Sequence, residues 1–169
     1  MRRNLKPLAV LLATCALFSA ASADRHGTPK EIAEAYAKFQ NAFRWNSPVA
    51  LRNLVYDYST PDFTSNYGGL RGDLYMEVEN VIQMGRMVEK VRRADLAITG
   101  VAIHGQTCQV TVRMNGQFIG QMGGKRQLVT MNMLSRDTWI KTTAGWKIKH
   151  SHGLSQSMTT KPYSGKRGR

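Results

Sequence analysis

Residues 135–148 have the sequence SRDTWIKTTAGWKI, two runs of alternating side chains joined by a short polar segment. Asp137 and Trp139 fall on one face of the first run, and Ile148 falls on the apolar face of the second. A repeat of two is the period of β-strands. Residues 143–145, Thr-Ala-Gly, are typical of a tight turn. The stretch therefore predicts an antiparallel hairpin with one apolar face.

The strand pattern continues towards the N-terminus. A further strand is predicted from the alternation of Cys108, Val110, Val112 and Met114 with polar residues. Turns are predicted at residues 104–106 and 122–125, and a phase break at Gly100 predicts a β-bulge. Asn115-Gly116 is a rival hairpin signal. We favour the turn at 122–125 because it joins two strands of equal length.

The turn positions also predict the strand register, since a slip of one residue exchanges the two faces of a strand. The turn at 122–125 places Cys108 opposite Trp139 and Val110 opposite Asp137. The turn at 142–145 places Trp139 opposite Ile148 and Asp137 opposite His150. We therefore expect Asp137 and His150 to be neighbours on the concave apolar face.

Helices are predicted before the strands. Thr28 as N-cap and Pro29 at the first position begin a helix with one apolar face. Ser47 followed by Pro48 begins a second, shorter helix, and Asp73 begins a third. Between the second and third helices, residues 58–69 are predicted to form a strand or hairpin that ends in a glycine turn.

Two segments resemble a known superfamily. LVYDYSTPDFT at residues 54–64 and the hairpin at 135–148 are similar to the nuclear transport factor 2-like superfamily, and the hairpin resembles SnoaL-like domains of unassigned function. The resemblance implies an α+β, cone-shaped fold over residues 28–155. In it, three N-terminal helices pack in a curved antiparallel sheet that leaves one pocket. Such folds host unrelated functions.

The resemblance also implies candidate catalytic residues. Compared with ketosteroid isomerase-like members, Tyr36 falls near the tyrosine that donates to the substrate oxyanion, and Asp62 falls near the general base, although Phe63 is an alternative for that position. An Asp beside a His suits acid–base chemistry near neutral pH, which adds Asp137 and His150. Each of the four also has a structural interpretation: a polar contact within the sheet for the pair, a turn or cap for Asp62, and core packing for Tyr36.

We consider three functions. The leading hypothesis is a protein that binds a small apolar molecule in the cone. The second is a cofactor-free isomerase or lyase, and the third is a dimeric module that associates through its sheet face and has a vestigial pocket. No cofactor is expected, and a metal site at His150, His152 and Asp137 is disfavoured because no other His completes it. The predicted pocket lining, besides Tyr36 and His150, is Phe39, Tyr58, Val110, Met133, Trp139, Ile148 and His152.

The first 23 residues have the three parts of a secretory signal: basic residues, an apolar run and small residues that end at Ala23. We expect cleavage after Ala23, a linker at residues 24–27 and a secreted or periplasmic location. The apolar run is too short to span a bilayer. Cys15 leaves with this segment, so the mature chain has one cysteine, Cys108, which we expect to be a buried free thiol.

The chain of 169 residues is basic, with 24 Lys and Arg against 11 Asp and Glu and a net charge of +13. Its 42% hydrophobic content is that of a folded domain. Three of the cations belong to the export signal, and residues 156–169 are predicted to be a basic disordered tail. We expect no nucleic-acid binding, because no aromatic residues interleave with the basic clusters. Peripheral contact with an anionic envelope or membrane surface is the most that this charge implies.

Overall fold

The computed structural model describes residues 27–165, which form three helices and six strands. The predicted signal segment and the last four residues lie outside this range. The elements are α1 (Lys30–Arg44), α2 (Pro48–Tyr58), β1 (Ser59–Tyr67), β2 (Leu70–Asp73), α3 (Leu74–Met87), β3 (Val88–His104), β4 (Thr107–Met122), β5 (Lys125–Thr142) and β6 (Gly145–Pro162).

Two of the three predicted helix caps are confirmed. The Ser47 hydroxyl accepts a hydrogen bond from the Ala50 amide at 3.4 Å, and the Asp73 carboxylate accepts one from the Met76 amide at 2.9 Å. The predicted Thr28 cap is wrong. Pro29 occupies the cap position and its carbonyl accepts the first helical amides, while the buried Thr28 hydroxyl has no partner among the described residues.

The strands form one curved, unclosed sheet in the order β2-β1-β6-β5-β4-β3. The predicted turns at 104–106, 122–125 and 142–145 join β3 to β4, β4 to β5 and β5 to β6. Gly116 is not in a turn, because it lies within β4 opposite Met131. The expectation of a purely antiparallel sheet is wrong in one place, since β1 pairs with β6 in parallel. The α+β class is confirmed.

The register of β4 against β5 is as predicted, with Cys108 opposite Trp139 and Val110 opposite Asp137. The bulge near Gly100 is confirmed by a register shift between the pairs of Ile98 and Gly100. Each bulge bends its strand and increases the local twist, so these irregularities contribute to the curvature of the sheet.

One register prediction on β6 is wrong. Trp139 lies opposite Ile148 as expected, but the next residue of β5, Thr138, lies opposite His150. Lys149 is therefore an extra residue, and it moves the following side chains to the other face. Asp137 consequently lies opposite Ser151.

The end of β6 also differs from expectation. The strand continues through Pro162 and pairs with β5 as far as Gln127. The Tyr163 amide then donates a hydrogen bond to the Arg126 carbonyl at 3.1 Å. The predicted domain end at residue 155 is therefore wrong, because residues 156–162 form strand where a disordered tail was expected.

The helices pack on the inner face of the sheet and are held there by polar contacts as well as apolar ones. Gln40 and Arg44 on α1 both donate to the Ala94 carbonyl of β3, at 3.0 and 3.1 Å. Gly85 on α3 allows a close approach to α2, because a Cβ at this position would lie 2.1 Å from the Pro48 ring. None of the helices within residues 27–165 is both long and apolar enough to span a membrane.

Candidate functional site

Asp137 is the centre of a buried polar network on the inner face of the sheet. Its position on β5, between Val110 of β4 and Ser151 of β6, leaves none of its surface exposed. The Ser151 hydroxyl hydrogen-bonds to Oδ1, and the Tyr36 hydroxyl donates to Oδ2 at 2.8 Å. The structure thus brings together two of the four predicted catalytic residues, Asp137 and Tyr36.

The network continues on both sides of the carboxyl group. The Trp139 indole N–H donates to the Tyr36 hydroxyl at 2.9 Å, and the two rings meet edge to face with centroids 5.5 Å apart. On the other side, the hydroxyls of Tyr67 and Ser151 lie 2.6 Å apart. Side chains from α1, β1, β5 and β6 are therefore held in one continuous hydrogen-bonded chain.

The environment of Asp137 favours the neutral acid. Burial raises its pKa from an ordinary 3.8 to about 7, against the opposing effect of the hydrogen bonds from Ser151 and Tyr36. The negative charge of Glu77 adds to the increase. Near neutral pH the group is consequently poised between its neutral and ionised forms, as an acid–base group requires.

The two tyrosines of the network remain protonated. Burial raises the pKa of Tyr36 well above 10.0, and the charge of Asp137 raises it further. Burial also raises the pKa of Tyr67, followed by the charges of Asp137 and Glu77. Glu77 is itself buried on α3 and accepts a hydrogen bond from the Ser65 hydroxyl at 2.6 Å. Both tyrosines can therefore serve only as hydrogen-bond donors and acceptors near neutral pH.

A cleft lies next to this network, where β1 ends and β6 continues past its last β1 pair with β5 as its one remaining partner strand. We call it the β1–β6 cleft, and its volume is about 320 Å³. Tyr67 connects the two features, because it lines the cleft and its hydroxyl contacts Ser151. A Cβ on Gly153 would lie 2.5 Å from the Tyr67 ring, so glycine lets the ring lie against β6. The cleft is lined by Tyr67, Gly68, Leu70, Gly153, Leu154, Ser155 and Gln156.

The predicted partnership of Asp137 with His150 is not formed. After the bulge at Lys149, His150 lies on the face opposite Asp137, and its Nδ1 is 2.8 Å from the Thr64 hydroxyl. His152, predicted to line the pocket, is exposed on that same outer face, and its ring stacks on His150 with centroids 6.3 Å apart. Neither histidine reaches the buried network.

Asp62 is also separate from the network. Its side chain is 69% exposed and forms an ion pair with Lys149. The hydrogen bond from Lys149 is the main reason that the pKa of Asp62 is lowered. Phe63, the alternative for the same position, is buried in the core. The carboxyl group that the structure places beside Tyr36 is Asp137.

Most of the predicted pocket lining is tightly packed core. Tyr36, Phe39, Val110, Met133, Trp139 and Ile148 are all buried, with at most 3% of their surface exposed. Tyr58 is half-buried and its ring packs against Phe39 and Trp139, with centroids 5.9 and 6.3 Å apart. These predicted lining residues therefore belong to the core between the helices and the sheet, and a central pocket lined by them stays a prediction.

The remaining ionisable groups of the described residues form no further site of a known kind. No group of three His, Cys, Asp or Glu within residues 27–165 is arranged to hold a metal ion. Cys108 is buried opposite Trp139 and is a free thiol, as predicted. Tyr67 and Ser151 of the network, and Glu77, whose charge acts on Asp137, were not among the residues predicted from sequence.

The comparisons with known proteins find a similar fold among solved structures. No family model matches the sequence, and no curated protein matches it at a significant level. Among solved structures, a conserved protein from Planctomyces limnophilus has a TM-score of 0.61 at 13% identity, over 78% of this chain and 94% of that one. A nuclear transport factor 2-like superfamily protein from Salmonella enterica has a TM-score of 0.56 at 15% identity, over 80% of this chain and 92% of that one.

A third similar structure is a candidate dehydratase of the nuclear transport factor 2-like family from Streptomyces avermitilis. Its TM-score is 0.56 at 18% identity, and the match covers 73% of this chain and 92% of that one. These matches define the class: an α+β domain in which helices pack into one strongly curved sheet. The chain has the nuclear transport factor 2-like fold, and the resemblance predicted from residues 54–64 and 135–148 is confirmed at this level.

Proposed function

We propose that the protein binds a small, mostly apolar molecule in the β1–β6 cleft. The observation that carries this proposal is the exposure of two leucines, Leu70 and Leu154, which are 37% and 39% exposed and line the same concavity. Leu70 belongs to β2 and Leu154 to β6, so a ligand between them would bury both at once. Exposed apolar side chains that line a concavity are typical of ligand sites.

The size and polarity of the cleft support the same proposal. A volume of about 320 Å³ is at the lower end of the range of small-molecule pockets, roughly 300 to 1,000 Å³. Ser155 and Gln156 add a few polar groups that can orient a ligand. Tyr67, fixed by its contacts with Ser151 and Gly153, supplies a rigid aromatic wall. The cleft is therefore largely preformed, which lowers the entropic cost of binding.

Titration with N-phenyl-1-naphthylamine, a neutral apolar dye that fluoresces when it leaves water, tests this site. We expect wild-type protein to enhance the dye fluorescence saturably. Leu154→Gln should weaken binding about fivefold or more, because part of the apolar wall is lost and about 1 kcal/mol corresponds to that factor.

The matched control is Ile103→Gln. Ile103 is 48% exposed and lies at the far end of β3, outside the cleft. This variant should bind the dye as the wild type does. Equal losses in the two variants, or no saturable binding by the wild type, would contradict the proposal.

Proton transfer is a second candidate function, and the neutral acid at Asp137 favours it. A protonated carboxyl in an apolar site can donate a hydrogen bond to a developing oxyanion. Asp137 is fully buried, so the route to the cleft is the hydroxyl chain of Ser151 and Tyr67. The similar Streptomyces avermitilis protein, a candidate dehydratase, is consistent with this alternative.

Exchange of the α-protons of cyclohexanone in deuterated water tests the second function. In this exchange a buffer base takes the α-proton, while the hydroxyl chain that leads from Asp137 hydrogen-bonds the ketone oxygen and stabilises the enolate. The wild type should therefore accelerate exchange over buffer, as followed by proton NMR. Asp137→Asn should abolish the acceleration and Asp62→Asn should retain it. Exchange that is equal in wild type and Asp137→Asn would remove Asp137 from this role.

We also propose that the protein acts outside the cytoplasm, on the basis of the signal-like sequence of residues 1–23. The mature chain would begin at Asp24. N-terminal sequencing of the protein from its native host decides this, since a mature chain that retains residues 2–23 would contradict export.

A further inference from the structure

A second concavity lies on the outer face of the sheet, across β4, β5 and β6. Asn115 lies opposite Asn132, which lies opposite Ser157, and in the neighbouring row Arg113 lies opposite Leu134. Their neighbours in sequence, such as Met114 and Met133, are buried on the inner face. These side chains therefore project away from the core and line a groove of about 280 Å³, which we call the outer-face groove.

The groove exists because β6 bulges at this point. Ser135 lies opposite Gly153, but the next residue of β5, Leu134, lies opposite Ser155. Leu154 is therefore an extra residue, and such a bulge bends its strand and strengthens the local twist. Ser155 and Gln156 belong to both concavities, so β6 separates the outer-face groove from the β1–β6 cleft.

Arg113 is the charged group of the groove. It is exposed, and it makes no hydrogen bond or ion pair with any residue between 27 and 165. By contrast, Arg44, Arg93 and Arg126 each contact a carboxylate. No acidic residue lines the groove. The guanidinium is therefore available to an anion from solution.

The other lining residues are uncharged: Met133 and Leu134 are apolar, and the rest carry hydrogen-bonding groups. Asn115 and Asn132 each offer an amide donor and acceptor, and Ser155 and Ser157 each offer a hydroxyl. The one contact among them is weak, since the Asn132 amide donates to the Ser157 hydroxyl at 3.4 Å. No aromatic side chain lines the groove, so it offers no stacking surface for a base.

We propose that the outer-face groove binds a small organic anion that carries several hydroxyl groups, such as a sugar acid or a sugar phosphate. The planar fork of Arg113 matches a carboxylate or phosphate group through two parallel hydrogen bonds. The amides and hydroxyls beside it match the hydroxyl groups of the same ligand. This site shares Ser155 and Gln156 with the β1–β6 cleft, but Arg113, Asn115 and Asn132 line the outer-face groove alone.

Isothermal titration calorimetry at low salt tests the proposal with four probes: glucuronate, glucose 6-phosphate, glucose and inorganic phosphate. We expect one of the two hydroxyl-bearing anions to bind roughly tenfold or more tightly than glucose and inorganic phosphate, because only these anions use both parts of the groove. The preference between glucuronate and glucose 6-phosphate identifies a carboxylate or a phosphate site.

The variants separate specific binding from general charge. Arg113→Gln should weaken binding of the preferred anion about tenfold, and Asn132→Ala should weaken it for the hydroxyl-bearing anion but not for inorganic phosphate. Arg92→Gln removes another exposed cation, on β3, and should leave affinity within about twofold. Arg113→Gln should not change dye binding in the β1–β6 cleft.

Three results would overturn the proposal. The first is that neither hydroxyl-bearing anion binds the wild type more tightly than inorganic phosphate. The second is that Arg113→Gln and Arg92→Gln lose the same affinity. The third is that sedimentation shows a dimer that dissociates in Arg113→Gln, which would make the groove part of a contact between two copies of the chain.

Discussion

The free energy of unfolding should fall by about 2 to 3 kcal/mol between pH 5 and pH 8 through Asp137 alone. In the folded protein this carboxyl has a pKa of about 7, whereas in the unfolded chain it returns to about 3.8. Between these values the unfolded chain loses the proton that the folded protein keeps. Stability from this group is therefore complete below pH 4, declines as the pH rises, and reaches its minimum above pH 7.

The groups that face Asp137 come from four elements. Tyr36 of α1 and Ser151 of β6 hydrogen-bond to it, while Glu77 of α3 acts through its charge. Tyr67 of β1 is linked to Asp137 indirectly, because its hydroxyl hydrogen-bonds with the Ser151 hydroxyl. Because the pKa values of both tyrosines are raised above 10.0, neither ionises between pH 5 and pH 8. The two tyrosines therefore add nothing to the pH dependence of stability in this window.

Urea unfolding of wild type and Asp137→Asn at pH 5 and pH 8 measures the effect. Asparagine cannot ionise, so this variant should lose about 2 to 3 kcal/mol less than wild type across the interval. Asp62→Asn is the matched control. The pKa of Asp62 is lowered by Lys149, so its contribution to stability is lost only under more acidic conditions. Parallel pH profiles for wild type and Asp137→Asn would show that Asp137 is ionised in the fold.

Trp139→Ala should cost about 3 to 5 kcal/mol of unfolding free energy, which is the usual range for a buried tryptophan or phenylalanine. The Trp139 side chain has none of its surface exposed and packs between the rings of Tyr36 and Tyr58. Its removal also takes away the donor to the buried Tyr36 hydroxyl. The loss therefore combines a large cavity with a broken polar contact.

The control for this prediction is Trp45→Ala. Trp45 is 84% exposed at the end of α1, so its removal should change the unfolding free energy by about 0.5 kcal/mol or less. Chemical denaturation of both variants at pH 6 provides the comparison. A cost of less than 2 kcal/mol for Trp139→Ala would mean that the centre of the core is looser than its burial indicates.

Much of the sheet could be predicted because its determinants are local. Glycines at positions 105, 123 and 145 adopt positive φ angles, from 59° to 95°, at the turns that the sequence indicated. The alternation around Cys108 and Trp139 then determines which residues face the helices, and the turns determine the register. The superfamily resemblance of residues 135–148 rests on this same hairpin, which is why it identified the fold correctly.

The site was predicted less well because it depends on one extra residue. Lys149 interrupts the pairing of β6, and no residue preference marks it as a bulge. Because of this interruption, Ser151 lies beside Asp137 where His150 was expected, so a hydroxyl takes the place of the imidazole. A bulge in a long strand is a tertiary feature, and a register argument that assumes regular pairing cannot detect it.

Of the other residues at the site that were not predicted, Glu77 had a signal in the sequence. Glu77 is followed by Val78, Val81 and Met84, all of them buried, and a carboxylate within the apolar face of a helix indicates a buried polar partner. Tyr67 immediately precedes the glycine pair that turns β1 into β2. Its contact with Gly153 depends on the path of β6 and could not be read from local sequence.

The most direct test of the proposed binding site is methyl NMR of the leucine-labelled protein during titration with N-phenyl-1-naphthylamine. The cleft predicts that the methyl resonances of Leu70 and Leu154, which belong to different strands, shift together with one dissociation constant. The methyls of Leu51 and Leu96, which are buried in the core, should move little. Shifts confined to other leucines, or the absence of any saturable shift at Leu70 and Leu154, would contradict a ligand site in the β1–β6 cleft.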